Sequence, residues 1–112
     1  MKRKIQAEIA ARVESLKETV KTFPLAPGVY LMKDAAGKTI YVGKAKELRA
    51  RVRSYFNNGK DLSPKTCLLV QNIESVHYLT TPNEVEAFLL EASLIKKHRL
   101  SFQVWHGGSQ IN

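Results

Sequence analysis

The sequence predicts an α/β domain of the α+β kind, a small, mainly antiparallel three-stranded sheet flanked by helices. Two β-branched and aromatic runs, Gly28–Met32 and Thr39–Gly43, are joined by Lys33-Asp34-Ala35-Ala36-Gly37-Lys38, which carries the Asp and Gly of a hairpin turn. A third run, Ser75-Val76-His77-Tyr78-Leu79-Thr80, alternates as a strand does and would join the hairpin. The stretches before, between and after carry apolar residues at three- and four-residue steps, the period of helices.

In the first of these, Ile5, Ile9, Val13, Leu16 and Val20 form an apolar stripe, so residues 1–21 read as an amphipathic helix packed on the domain and ending before Phe23-Pro24. Leu25-Ala26-Pro27-Gly28 is a short stiff entry into the first strand. After the hairpin, Ala45, Leu48, Val52 and Phe56 mark the buried face of a helix from which Lys46, Arg49 and Arg53 point outward, with Arg51 and Tyr55 on a separate edge. Asn57–Asp61 is a loop by composition, and Ser63-Pro64 starts a helix through Cys67 and Leu69. Thr81-Pro82-Asn83-Glu84 reads as a capping box, with Thr81 as N-cap and Pro82 at the first helical position. That helix runs to about Arg99, with Val85, Phe88, Leu89 and Ile95 as its core face and Lys96 to Arg99 at the negative end of its dipole. The tail 104–112 has no defensible period, and no internal repeat appears.

A chain of 112 residues fits one domain with a modest core. Eighteen Lys and Arg against ten Asp and Glu give a net charge of +8, which favours an anionic partner such as nucleic acid. Cys67 alone excludes an intramolecular disulfide and is compatible with a reducing compartment. No apolar run reaches the roughly 20 residues that span a bilayer, and Met1-Lys2-Arg3-Lys4 is not followed by a signal peptide's unbroken apolar stretch. The expectation is therefore a soluble, cytoplasmic protein with no membrane partner.

The chemistry gathers around Gly28-Val29-Tyr30 and Tyr41-Val42-Gly43, ten residues between the tyrosines, followed by Lys44, Lys46, Arg49, Arg51 and Arg53. These cations read as a DNA-binding segment: phosphate contacts carry affinity without reading sequence. Arg51 offers the planar fork of donors suited to a scissile phosphate, and Tyr55 sits one turn on to orient it. Phosphodiester hydrolysis needs a nucleophilic water, an acceptor for its proton and positive charge on the phosphoryl and leaving oxygens, part of it commonly from a divalent metal. Mg²⁺ often takes only one or two protein carboxylates, and Glu91, at the border of the last helix's apolar face, is the best candidate. Tyr41 is the candidate base, its phenol brought down by Lys44 and nearby cationic charge. Other chemistries fail: Gly37–Ala45 has the wrong spacing for a nucleotide phosphate loop, and His77, His98 and His106 lack ligand spacing.

The strings GVY, YVG, GKAKELRARVRSYF and NEVEAFLLEASLIKKHR closely resemble the GIY-YIG nuclease domain, specifically the one at the N-terminus of bacterial UvrC-type excinucleases, from about Thr22 to about Arg99. The resemblance implies a metal-dependent DNA endonuclease occupying residues 22–103 and making the 3′ incision of nucleotide excision repair, with the excision-repair protein UvrB as a partner. It implies Glu91 in LLEAS as the ligand of Mg²⁺ or Mn²⁺, Tyr41 as base, Tyr30 and Lys44 completing the proton network, and Arg51 on the scissile phosphate. Where the family continues with proline, any residue, tyrosine and asparagine, the register here gives Leu100-Ser101-Phe102-Gln103, so Gln103 is the candidate active-site amide. Two other readings stay open: a stand-alone nuclease of branched or mobile DNA, and a catalytically inactive nucleic-acid-binding module.

Overall fold

The computed structural model of the protein describes residues 2–57 and 62–98; Gln103 and the tail 104–112 lie outside them. The elements run α1 (Lys2–Val20), β1 (Gly28–Lys33), β2 (Thr39–Ala45), α2 (Leu48–Ser54), α3 (Pro64–Asn72), β3 (Ser75–Thr80) and α4 (Glu84–His98). The three strands form one antiparallel sheet in the order β2-β1-β3, so the hairpin's first strand is central and β3 adds to its outer edge.

The hairpin closes as its composition dictates. Asp34 Oδ1 accepts from the amides of Ala36 and Lys38, each at 3.0 Å, and Gly37 takes φ +82°, a left-handed conformation that a side chain would strain. Directly opposite residues of an antiparallel pair share a face. Tyr30 therefore faces the same way as Gly43 and Tyr78, and Met32 the same way as Tyr41 and Val76. That face meets α1, α2 and α3: Leu16, Val20, Leu48, Val52, Phe56, Leu69 and Ile73 close over it to form the core. Val29 and Val42 point to the other face, where α4 packs on β1 and β2 with Ala87 buried.

Of the α1 stripe, Leu16 and Val20 enter the core while Ile5 remains 52% exposed, so the C-terminal half of the helix carries the packing. Arg12 ties α1 to the far side of the domain, its guanidinium donating to the carbonyl of Gln71 and lying 3.7 Å from Glu74 Oε1. Ser63 caps α3 as its sequence predicts, its hydroxyl accepting from Thr66 N at 3.1 Å with Pro64 in the first turn.

Three expectations are corrected. The helix after the hairpin starts at Leu48 rather than Ala45, because Ala45 still pairs with Gly28 as the last residue of β2. Asn83, not Thr81, caps α4: Asn83 Oδ1 accepts from Glu86 N at 2.8 Å, while the Thr81 hydroxyl donates to Asn83 O at 2.9 Å. Val85, Phe88 and Leu89 are not core but 66%, 54% and 55% exposed. The helix is turned so that Ala87 and Glu91, four apart, face inward, which carries that apolar flank round to solvent.

Gly43 is required by contact rather than by backbone conformation. The ring of Tyr30 lies across it, so close that a Cβ on Gly43 would collide with the Tyr30 hydroxyl oxygen and Cζ. A fully buried ring in a packed sheet cannot yield without disturbing its neighbours. Gly43→Ala is expected to lower unfolding free energy by about 1–3 kcal/mol, the usual range for overpacking, read from urea unfolding midpoints.

Candidate active site

Each side chain of the cluster is placed by a particular element. β1 supplies Tyr30, β2 Tyr41, the end of α2 Arg51 and Tyr55, and α4 Glu91. Met32 faces Tyr41 across the hairpin and Gly43 faces Tyr30, so the two tyrosines stand diagonally on one face with ring centroids 6.2 Å apart. The C-terminal turn of α2 lays Tyr55 against both, edge-on at 5.7 Å from Tyr30 and 6.3 Å from Tyr41. The hydroxyls of Tyr30 and Tyr55 share a 2.6 Å hydrogen bond. Arg51 reaches over the Tyr55 ring at 5.7 Å, close enough to Tyr30 to interact with it electrostatically.

Glu91 enters from the other side of the sheet. The residue is 9% exposed, and its Oε2 accepts from the backbone N–H of Lys44 at 3.0 Å. Lys44 thus contributes its main chain to the site, while its ammonium is exposed on the edge strand β2. Beside it opens a cleft of about 370 Å³, lined among others by Lys44, Lys46 and Arg51 together with Glu47, Glu84 and Ala87.

The electrostatics oppose charge on the buried groups. Burial pushes the Glu91 carboxyl up, against the pull of the Lys44 ammonium and amide and of Arg51. Tyr30 is pushed well up, by burial first and by its tyrosine neighbours next. Tyr41 corrects an expectation: its phenol is raised, not lowered, because loss of solvent and the adjoining Tyr55 outweigh Arg51, and the cation acting on it is Arg51 rather than Lys44. Arg51 itself is held charged by the surrounding phenols.

Glu91 fits a divalent cation. An ionised carboxylate accepts on two oxygens, and one amide on Oε2 leaves it acceptor capacity beside a cleft. Among the described residues no three His, Cys, Asp or Glu side chains group as a metal cage. The donor chemistry therefore suits an ion that keeps most of its own waters, as Mg²⁺ does with one or two protein carboxylates.

Tyr30, Tyr41, Arg51, Tyr55, Glu91 and the Lys44 backbone come together; Lys46 stands at the cleft, and Arg53 is exposed further along α2. Arg49 departs from the outward-pointing set, since its Nε donates to the carbonyl of Phe23 at 2.8 Å. Sequence reasoning misses that bond and the Lys44 amide, because main-chain groups carry no sequence signal. Gln103 lies outside the described residues.

Comparison with known proteins follows the same residues. The profile of the UvrC-like GIY-YIG domain matches residues 26–104. The UvrABC system protein C of Bdellovibrio bacteriovorus is 61% identical over 95 residues, covering 85% of this chain and 15% of that protein. That of Caldicellulosiruptor saccharolyticus is 51% identical over 90 residues, covering 80% of this chain and 15% of that protein. This chain thus spans about 15% of the length of the curated relatives it matches. The crystal structure of the GIY-YIG N-terminal endonuclease domain of UvrC from Thermotoga maritima, bound to its catalytic magnesium, superimposes with a TM-score of 0.73 at 38% identity, covering 81% of this chain and 98% of that one. A tyrosine-to-phenylalanine point mutant of the same domain, bound to its catalytic divalent cation, gives 0.73 at 37% identity, covering 81% of this chain and 97% of that one.

The Glu91 carboxyl binds its proton more tightly when folded than when unfolded, so stability is fullest while it is protonated and falls as pH rises through its ionisation. Glu91→Gln removes that charge and keeps an oxygen for the Lys44 amide. At neutral pH without metal the variant is expected to melt at the same or a higher temperature than the parent, and a drop of several degrees in thermal denaturation would contradict this.

Proposed function

Since this chain belongs to the UvrC-like GIY-YIG family, we propose that it is a metal-dependent DNA endonuclease that hydrolyses a phosphodiester bond, the 3′ incision of nucleotide excision repair. The observation that carries this reading is the half-enclosed constellation of Tyr41, Tyr30, Tyr55, Arg51 and Glu91 beside an open, cation-lined cleft. DNA is the substrate that a net charge of +8 favours, and UvrB is the proposed protein partner.

In this mechanism the DNA backbone lies along the cleft, held through its phosphates by Lys44, Lys46 and Arg53. Arg51, lying over the Tyr55 ring, donates to the scissile phosphate and balances the negative charge that builds there. Water attacks phosphorus in line as the bond to the leaving oxygen breaks, and Tyr41 in its phenolate form takes the water's proton. Glu91 would hold Mg²⁺ or Mn²⁺, whose positive charge would stabilise the leaving oxygen and the phenolate form of Tyr41. That charge matters because the protein alone keeps Tyr41 protonated. The Tyr30–Tyr55 hydrogen bond holds both rings still, so that Arg51 and Tyr41 meet the substrate in a fixed geometry.

Nicking of supercoiled plasmid tests the reading. The protein is expected to nick with Mg²⁺ or Mn²⁺ and to stop when the metal is chelated; absence of nicking with either metal would favour the binding-module reading. Tyr41→Phe keeps the buried ring and removes the proton acceptor, so single-turnover cleavage should fall by about 10²–10⁴. With Tyr41 held above its ordinary value, the parent's rate should rise with pH across neutrality while the residual rate of the Phe variant stays flat. Arg51→Ala should raise the barrier by about 2.7–4 kcal/mol. Glu91→Gln should abolish metal-dependent nicking yet bind DNA without metal as well as or better than the parent.

DNA affinity should fall steeply between about 50 and 200 mM salt, as gel-shift titration would show; an unchanged affinity would contradict a phosphate-dominated interface.

A further inference from the structure

We propose that Arg49 is a positioning residue: it clamps α2 to the linker between α1 and β1 and thereby sets where Arg51 and Tyr55 stand. The proposal rests on the endonuclease reading for its activity measurement and on hydrogen bonds for its structural one.

At seven residues, α2 is too short to hold its own shape, yet it carries Arg51 and leads directly into Tyr55. It has none of the usual local supports at its start. Glu47 occupies the N-cap without a side-chain hydrogen bond, and the first turn holds no acidic residue. The orphan amides are satisfied from outside the helix. Leu48 N donates to Ala26 O at 2.9 Å and Arg49 N to Pro24 O at 3.2 Å. Arg49 then adds its side chain, Nε donating to Phe23 O at 2.8 Å.

The linker it holds is itself firm. Pro24 and Pro27 fix their backbone torsions, and Pro27 O accepts from Thr81 N at 2.9 Å. Phe23 is buried in the core with its ring 4.7 Å from that of Tyr78 on β3. Arg49 therefore connects the site helix to an anchored strap through two donors of one residue. Two positions along a helix lie on nearly opposite faces, so the clamp at Arg49 seats Arg51 towards the tyrosines. With its Nε donor committed to a carbonyl and its side chain partly buried, Arg49 is less free to follow a phosphate than the exposed Lys46 and Arg53.

Two substitutions separate the roles. In Arg49→Gln the amide nitrogen sits the same number of bonds from the backbone as Nε, so the donor is kept and the charge is lost. In Arg49→Lys the charge is kept and a methylene replaces the donor. Each is compared with the parent for DNA affinity against salt, for single-turnover nicking at saturating DNA, and for amide hydrogen exchange across residues 51–55 without DNA. Positioning predicts that the Gln variant nicks within about threefold of the parent with an unchanged salt slope. It predicts that the Lys variant binds normally but nicks at least about tenfold more slowly, with faster exchange in α2. The proposal is overturned if the Lys variant matches the parent while the Gln variant binds with a salt slope smaller by about 0.9, the signature of one lost phosphate contact. It is overturned equally if both variants exchange and nick like the parent, or if both lose activity alike. Should the parent itself fail to nick, the endonuclease reading falls and the exchange comparison alone decides the role of Arg49.

Discussion

One aromatic ring, that of Tyr30, governs how the parts of this domain meet. It is fully buried, lies across Gly43 of the neighbouring strand, and reaches with its hydroxyl to Tyr55 at the end of α2. The glycine is the condition for the ring's position. The ring in turn fixes how far α2 stands from the sheet, because the 2.6 Å bond to Tyr55 allows little slack. Tyr41, diagonal to Tyr30 on the same face, then has Tyr55 as a side wall, and Arg51 has an aromatic surface to rest on. The hairpin, the helix and the charged side chain are thus held to one another by a single contact chain.

The same packing creates the electrostatic problem that a cation would resolve. Burial raises Glu91 and the phenols of Tyr30 and Tyr41 alike, so the cluster resists negative charge despite Arg51 and Lys44 close by. Those two cations draw Glu91 down, and Arg51 draws Tyr41 down, but desolvation is the larger influence in each case. A protein built only for folding would not place a carboxylate there, since a buried charge without a full set of partners is destabilising. The Lys44 amide holds one carboxylate oxygen in place and does not neutralise it. The arrangement makes physical sense as one completed by a hydrated cation.

Much of this is legible in the sequence. The strands are visible in the alternation and in the Asp and Gly of the turn, the third strand in Ser75 to Thr80, and the cap of α3 in Ser63-Pro64, all of them local signals. Tyr30, Tyr41, Arg51, Tyr55 and Glu91 can be named because two motifs and a family resemblance fix them at once. What escapes depends on tertiary placement. The apolar residues of α4 have helical spacing whichever way the helix is turned, and only the sheet beneath decides that Ala87 and Glu91 face inward while Phe88 faces out. Thr81 and Asn83 are both good capping residues three positions from a Glu, and the choice is set by where Pro27 and Thr81 tie the chain. The direction of the Tyr41 shift escapes for a related reason: nearby charges are visible in sequence, whereas desolvation is not.

The basic segment shows how one run of charge divides among tasks once folded. Lys44, Lys46, Arg49, Arg51 and Arg53 fall within ten residues, and by composition they are equivalent. In the structure the Lys44 backbone holds the candidate metal ligand, Lys46 lines the cleft, Arg49 is bound to a carbonyl, Arg51 lies over the Tyr55 ring, and Arg53 is exposed. The division follows from the geometry of α2: a helix of seven residues can present only one arginine to the tyrosines, and the arginine two positions earlier must face away. Facing away, it meets the linker. Orientation of the charge, not its amount, therefore separates the groups that would draw DNA in from the one that would act on its phosphate.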